Sequence, residues 1–351
     1  GSTAVDESGT TDTFTIVLDA QPSSDVALTI TSSDTGEATV TSLITFTSAN
    51  WDTAQTVTVT GVDDDLIDGT TSSTLTVAVL DSISDDDFDA VADQTVSVST
   101  TDDDAAGFTV TETEGSTSVT EAGGTDTFTI VLNAEPVSDV VLDIVSSDTG
   151  EATVTSTLTF TSANWDTPQT VTVTGADDDL IDGTVSSTIT VSVNDAASDN
   201  NFDAVADQTV TASTTDDDVA GFTVTETEGS TSVTEAGGTD TFTVVLNAKP
   251  SSNVVLSISS SDTGEATVTS LITFTSSNWD TAQTVTVTGA DDDIIDGTQN
   301  STLTLSIVSA ITDDDFDAVS DQTVSVSTTD DDAAGFTIVE LEGSTGVDES
   351  G

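Results

Sequence analysis

Residues Gly175–Gly183 read GADDDLIDG and stand between two alternating runs, QTVTVT at 169–174 and STITVSV at 187–193. Val alternates with Thr or Ser on both sides, the period-2 pattern of a strand with one buried and one wet face. The stretch between them, bounded by Gly and filled with Asp, is a turn. The same turn recurs as GVDDDLIDG at Gly61–Gly69 and GADDDIIDG at Gly289–Gly297. Each copy holds four aspartates close together. Two unit charges about 4 Å apart repel by roughly 4 kcal/mol at an effective dielectric near 20. Either water dissolves the cluster or a cation fills it.

Recurrence extends to the whole chain. A shift of 114 residues carries GSTAVDESG at Gly1 onto GSTSVTEAG at Gly115, again onto Gly229, and onto GSTGVDESG at Gly343. All 12 phenylalanines obey it, beginning with Phe14, Phe46, Phe88 and Phe108, and so do Trp51, Trp165 and Trp279. A unit of this length is a domain rather than a solenoid turn. Within the second copy strands are expected near 108–112, 126–132, 139–145, 152–155, 157–161, 169–174, 186–193 and 208–213. No segment has a helical period. The expected fold is all-β, a tandem array of antiparallel, Ig-like β-sandwiches of seven or eight strands, with the phenylalanines in the cores and Trp165 closing one end.

The expected domains are 1–104, 105–218 and 219–332, with 333–351 as the opening strand of a fourth. Each DDD triplet at 102–104, 216–218 and 330–332 is followed by a short linker and a Phe-containing strand, AAGFTV, VAGFTV or AAGFTI. If that strand opens a domain, domain one lacks its own and 333–351 is a strand without a domain. Two explanations fit: a stretch of a longer tandem array, or a donor strand that inserts into the first domain of a neighbouring subunit. The start at GSTAVDESG, without Met or a signal pattern, fits a mature product or a part of something longer.

Charge narrows the partners. The chain carries 65 acidic residues against one cation, Lys249, for a net charge of −64. Nucleic acid is excluded, because nothing can neutralise phosphates. An anionic membrane surface would repel the chain, and no apolar run of about 18 residues exists to span one. Cys, His and Tyr are absent. Catalysis is not expected, since acid–base work needs one tuned pair and here every acid recurs with the repeat. Calcium is the expected partner, because a hard divalent cation takes six to eight oxygens from flexible acidic loops. The EF-hand spacing is not matched.

Three motifs in fixed order resemble the Calx-β family of calcium-binding sandwiches. SVTEAGGTDTFTIVLN at 118–133 looks like its opening E-x-x-G segment, GADDDLIDG like its DDD-x-x-acid turn, and STTDDDVAGF at 213–222 like its closing DDD-x-AG. The resemblance implies calcium ligation by Glu121, Asp177, Asp178, Asp182, Asp216, Asp217 and Asp218. In repeat one it implies Glu7, Asp63, Asp64, Asp68, Asp102, Asp103 and Asp104. In repeat three it implies Glu235, Asp291, Asp292, Asp296, Asp330, Asp331 and Asp332. The chain departs from the pattern where further Glu residues would follow the turn, at Gly183 and Thr184, and it lacks an expected Asp-aromatic pair. Asp148 or Glu151 in SSDTGEA stands as a substitute. The acidic loop SDNNFDAV at 198–205 reads equally as a solvated loop or a second ion site. The expected function is a calcium-stiffened repeat segment of an extracellular, cell-surface or filament protein. The alternatives are adhesin repeats that grip a ligand such as a glycan, and head-to-tail subunits joined by strand exchange.

Overall fold

The computed structural model describes residues 2–339. The chain is all-β: the described residues form six sheets, a pair for each repeat, joined by turns and short 3-10 segments. Alternation acts as expected. Val171 and Val173 are fully buried, while Thr170 and Thr172, which alternate with them, are exposed.

In repeat two a five-stranded sheet runs Thr117–Thr120, Gln208–Thr215, Thr184–Val193, Val140–Ser146, Thr157–Phe160. Facing it is a four-stranded sheet of Ala152–Val154, Gln169–Gly175, Thr125–Leu132 and Phe108–Glu112. Phe128, Phe160 and Phe202 fill the space between them with Ile130, Leu142 and Ile144, and Trp165 packs half-buried against this core. Repeat three is built alike, around Phe242, Phe274 and Phe316.

A ninth strand, Thr117–Thr120, went beyond the eight expected. Its counterparts run parallel to their neighbour, unlike the rest of the sandwich. Ser2–Asp6 pairs with Gln94–Thr101 in parallel register, Ser2 opposite Ser97 and Asp6 opposite Thr101; Thr231–Thr234 does the same with Gln322–Thr329. Four residues with no hydrophobic run gave period counting nothing to detect. Their pairing is set by the long strand beside them, not by local pattern.

Repeat one differs. Its smaller sheet has three strands, Thr11–Ile16, Gln55–Gly61 and Ala38–Val40, and among the described residues no strand lies on the edge that Phe108–Glu112 covers in repeat two. Residues 330–339 carry no regular structure, and Phe336 is 89% exposed. The expected motif at 343–351 lies outside the described residues.

By compactness the chain divides into one unit, Gly1–Ala176 with Ser186–Thr214, and another, Asp177–Val185 with Thr215–Gly351. The acidic turn of repeat two thus groups with repeat three. Leu180 bridges to Lys249, the Lys249 N–H donates to the Asp179 carbonyl at 2.7 Å, and Ile181 packs on the core of repeat three. Within the first unit the turn of repeat one does likewise. Leu66 bridges to Glu135, the Glu135 N–H donates to the Asp65 carbonyl at 2.6 Å, and Ile67 packs on the core of repeat two.

Candidate metal centre

The parallel edge strand positions the site. Because Asp6 lies opposite Thr101, the next residues in both strands, Glu7 and Asp102, emerge at the same end of the sheet. The Glu7 N–H donates to the Thr101 carbonyl at 3.0 Å and extends the ladder one step further. An antiparallel edge would have sent Glu7 to the opposite end.

Both glycines of the turn have a structural reason. A Cβ on Gly61 would overlap the Asp6 carbonyl, and one on Gly175 or Gly289 the carbonyl of Thr120 or Thr234. Glycine therefore lets the turn approach the backbone just ahead of the glutamate. Gly69, Gly183 and Gly297 close the turn at φ near +77°, +76° and +77°, where a side chain would be strained.

Glu7 is 1% exposed, and neither of its carboxylate oxygens has a hydrogen-bond donor. One oxygen each from Glu7, Glu37 and Asp68 lies within 4.8 Å of the others, and Glu7, Asp102 and Asp104 form a second such group. A cation with bonds of about 2.4 Å spans at most about 4.8 Å between two of its ligands. Glu7 belongs to both groups and so would bridge two neighbouring ion positions. Repeat three presents Glu235, Glu265 and Asp296 in the same way, with both Glu235 oxygens buried and without a donor.

Electrostatics follow from this geometry. Burial pushes the Glu7 carboxyl up to about 7, and Asp64, Glu37, Asp102 and Asp68 add to the rise by repulsion. Glu37, Asp104, Glu235, Glu265 and Asp332 shift upward too, in each case by burial first and then by neighbouring carboxylates. With no cationic side chain in reach, a metal ion is what would reverse these shifts.

Asp102 has a different task. Its Oδ2 accepts from the Gly69 N–H at 2.8 Å and its Oδ1 from the Asp104 N–H at 2.7 Å, so it ties the closing triplet to the turn. Asp216 receives Asp182, Gly183 and Asp218 N–H groups, and Asp330 receives those of Asp296, Gly297 and Asp332.

Of the seven residues expected in repeat one, Glu7, Asp68, Asp102 and Asp104 converge. Asp63, Asp64 and Asp103 are exposed. Asp64 accepts from the Leu66 N–H at 2.8 Å and shapes the turn. In repeat two Glu121 is buried, Asp216 and Asp218 half-buried, and Asp177, Asp178, Asp182 and Asp217 exposed. In repeat three Asp291, Asp296 and Asp331 are exposed, while Asp292, Asp330 and Asp332 are half-buried. Outside the seven-residue sets, Glu37 and Glu265 are buried, as is Glu151, one of the two acids of SSDTGEA named as a substitute. Their signal is SSDTGEA, where the Asp turns its oxygen onto its own loop, Asp34 Oδ1 accepting from the Gly36 N–H, and leaves the Glu to face inward.

The other acidic loop resolves into a cap. Asp85 accepts from the N–H and Oγ of Ser23, the Ser24 N–H and the Asp87 N–H, and these bonds hold its carboxyl down to about 2. Three of these donors fall on Oδ2 and one on Oδ1. Asp199 and Asp313 cap the equivalent 3-10 turns.

No known family and no curated protein matches the sequence. Solved structures with a similarity include the calcium binding domain CBD12 of CALX1.1, at 15% identity over 55% of this chain and 77% of that chain, TM-score 0.25. They also include the titin I-band fragment I67–I69, at 10% identity over 94% and 95%, TM-score 0.28. The surface layer protein SbsC, domains 4–9, is similar at 18% identity over 86% and 39%, TM-score 0.28.

Proposed function

We propose that this chain is a structural repeat segment of an extracellular surface or filament protein, stiffened by calcium and without catalytic activity. The observation that carries the reading is Glu7: a buried carboxylate without a donor, shared by two groups of acidic oxygens. Leaving such a charge unpaired is expensive, and a divalent cation removes the expense. Asp68 stands next to Ile67, which packs on the core of repeat two, so an ion on Asp68 would rigidify the joint between repeats. Loops of this kind hold calcium at about 10⁻⁴ to 10⁻³ M, the range of extracellular modules. Repetition of the same acids at a fixed interval suits construction, not one reaction centre.

Thermal melts and small-angle scattering with millimolar calcium or with chelator test this. Calcium is expected to raise the melting temperature and to narrow the distribution of lengths in solution. An identical melt and identical dimensions in chelator would refute the reading.

A further inference from the structure

We propose that Asn201 is a lock that fastens repeat two onto the acidic turn of repeat one, and that repeat three lacks this lock. The loop SDNNFDAV at 198–205 reads TDDDFDAV at 312–319, so Asp315 stands where Asn201 does. The residues of the first joint lie within one compact unit, and those of the second within the other.

The fold holds Asn201 in place. The Asp199 carboxylate accepts its backbone N–H at 3.0 Å, and the next residue, Phe202, is fully buried in the core of repeat two. From this footing the exposed side chain donates through Nδ2 to the Ile67 carbonyl at 3.0 Å. Ile67 donates its own N–H to the Glu135 carbonyl at 3.4 Å, and the Glu135 N–H donates to the Asp65 carbonyl. The turn is thus held by Glu135 through two backbone bonds and by Asn201 through a third.

Repeat three has the same footing and a different last atom. Asp313 accepts the Asp315 N–H at 3.3 Å, and Phe316 behind it is fully buried. The turn of repeat two is received in kind, with the Lys249 N–H on the Asp179 carbonyl and Ile181 on the core. A side-chain amide carries two N–H donors, whereas an ionised carboxylate only accepts. Asp315 therefore has nothing to donate to the Ile181 carbonyl. It also meets like charge. Burial first, then Asp313 and Asp314, push its carboxyl up, and so does Asp216 from the closing triplet of the preceding repeat.

The two joints are built alike, and one exchange of amide for carboxylate separates them. The joint at Asn201 is clasped. The joint at Asp315 opens more readily, and dissolved salt tightens it by screening the repulsion.

Hydrogen exchange on two equivalent amides tests this, because the Glu135 and Lys249 N–H groups each close one joint. All measurements are made in chelator, so neither outcome turns on the calcium reading. Protection of the Glu135 amide is expected to exceed that of Lys249 on the order of tenfold, the worth of about one hydrogen bond. Asn201→Asp should bring Glu135 down to the level of Lys249, and Asp315→Asn should raise Lys249 to that of Glu135. Added sodium chloride is expected to raise protection at Lys249 in wild type, and much less in Asp315→Asn. Protection unmoved at both amides in the two variants would overturn the proposal. So would a loss in Asn201→Asp that spreads equally to the core amides of Val171 and Val173, since that marks a weakened repeat and not an opened joint.

Discussion

Repeats one and two have nearly the same residues and end in different states. Phe128 is fully buried and Phe14 is not; Phe202 is fully buried and Phe88 is not. Nothing in the side chains accounts for this. The strand Phe108–Glu112 lies along the sheet edge in repeat two, and among the described residues none covers the matching edge of Thr11–Ile16. A sandwich core is thus a property of both sheets together, and one edge strand decides whether a ring deep in sequence is deep in structure.

The sharpest way to break the comparison is to give repeat one its cover. Fusing a copy of residues 105–114 ahead of Gly1 is expected to stabilise that repeat by about 3–5 kcal/mol, the burial of roughly two large apolar side chains. Hydrogen exchange on Thr11–Ile16 would report it as new protection, and unchanged protection would mean that the edge is not the cause. Next in size is a pair of truncations. Phe128→Ala should cost about 3–5 kcal/mol in denaturant unfolding. Phe14→Ala should cost clearly less, because its ring already meets water. Equal costs would dissolve the difference between the repeats.

The carboxylate groups supply a smaller effect with two signs. Glu7→Gln removes a buried charge that has no donor, so it should raise the melting temperature in chelator. In calcium it should lower affinity by on the order of tenfold or more, because loss of even a supporting contact costs that much at metal sites. Thermal melts in chelator check the first sign and calorimetric titration with calcium the second, and a variant that binds calcium normally would remove Glu7 from the site. The smallest effect lies in the loop that all repeats share. Asp85 has its carboxyl held below the ordinary value of 3.8, at about 2, so the ionised form stabilises the fold above pH 3.8 and that contribution disappears as pH falls toward 2. Asp85→Asn should lower stability near neutral pH and flatten this acid limb, as seen by circular dichroism; an unaltered limb would show that the four donors are not what anchors the loop.

Much of the fold was legible because alternation is local. Val171 and Val173 announce a buried face without any knowledge of their neighbours, and strands such as Phe108–Glu112 match the pattern residue for residue. The acidic site was half legible. Glu7, Asp68, Asp102 and Asp104 stand out by motif, but the place of Glu37 was legible only as one of the two acids of SSDTGEA, because sequence does not say which of the two the sheet turns inward. Leu66 and Ile67, inside the acidic turn, are apolar residues whose socket belongs to another repeat.

From its sequence alone this protein is an all-β array with a fixed repeat, an extreme negative charge and three recurring carboxylate turns, since these depend on spacing and composition only. Tertiary structure decided which carboxylates meet. The parallel pairing of Ser2–Asp6 with Gln94–Thr101 sets Glu7 beside Asp102, over a separation of nearly a whole repeat, and seals it from water. Pairing direction between distant strands follows from how two sheets close over a common core, and no local pattern encodes it.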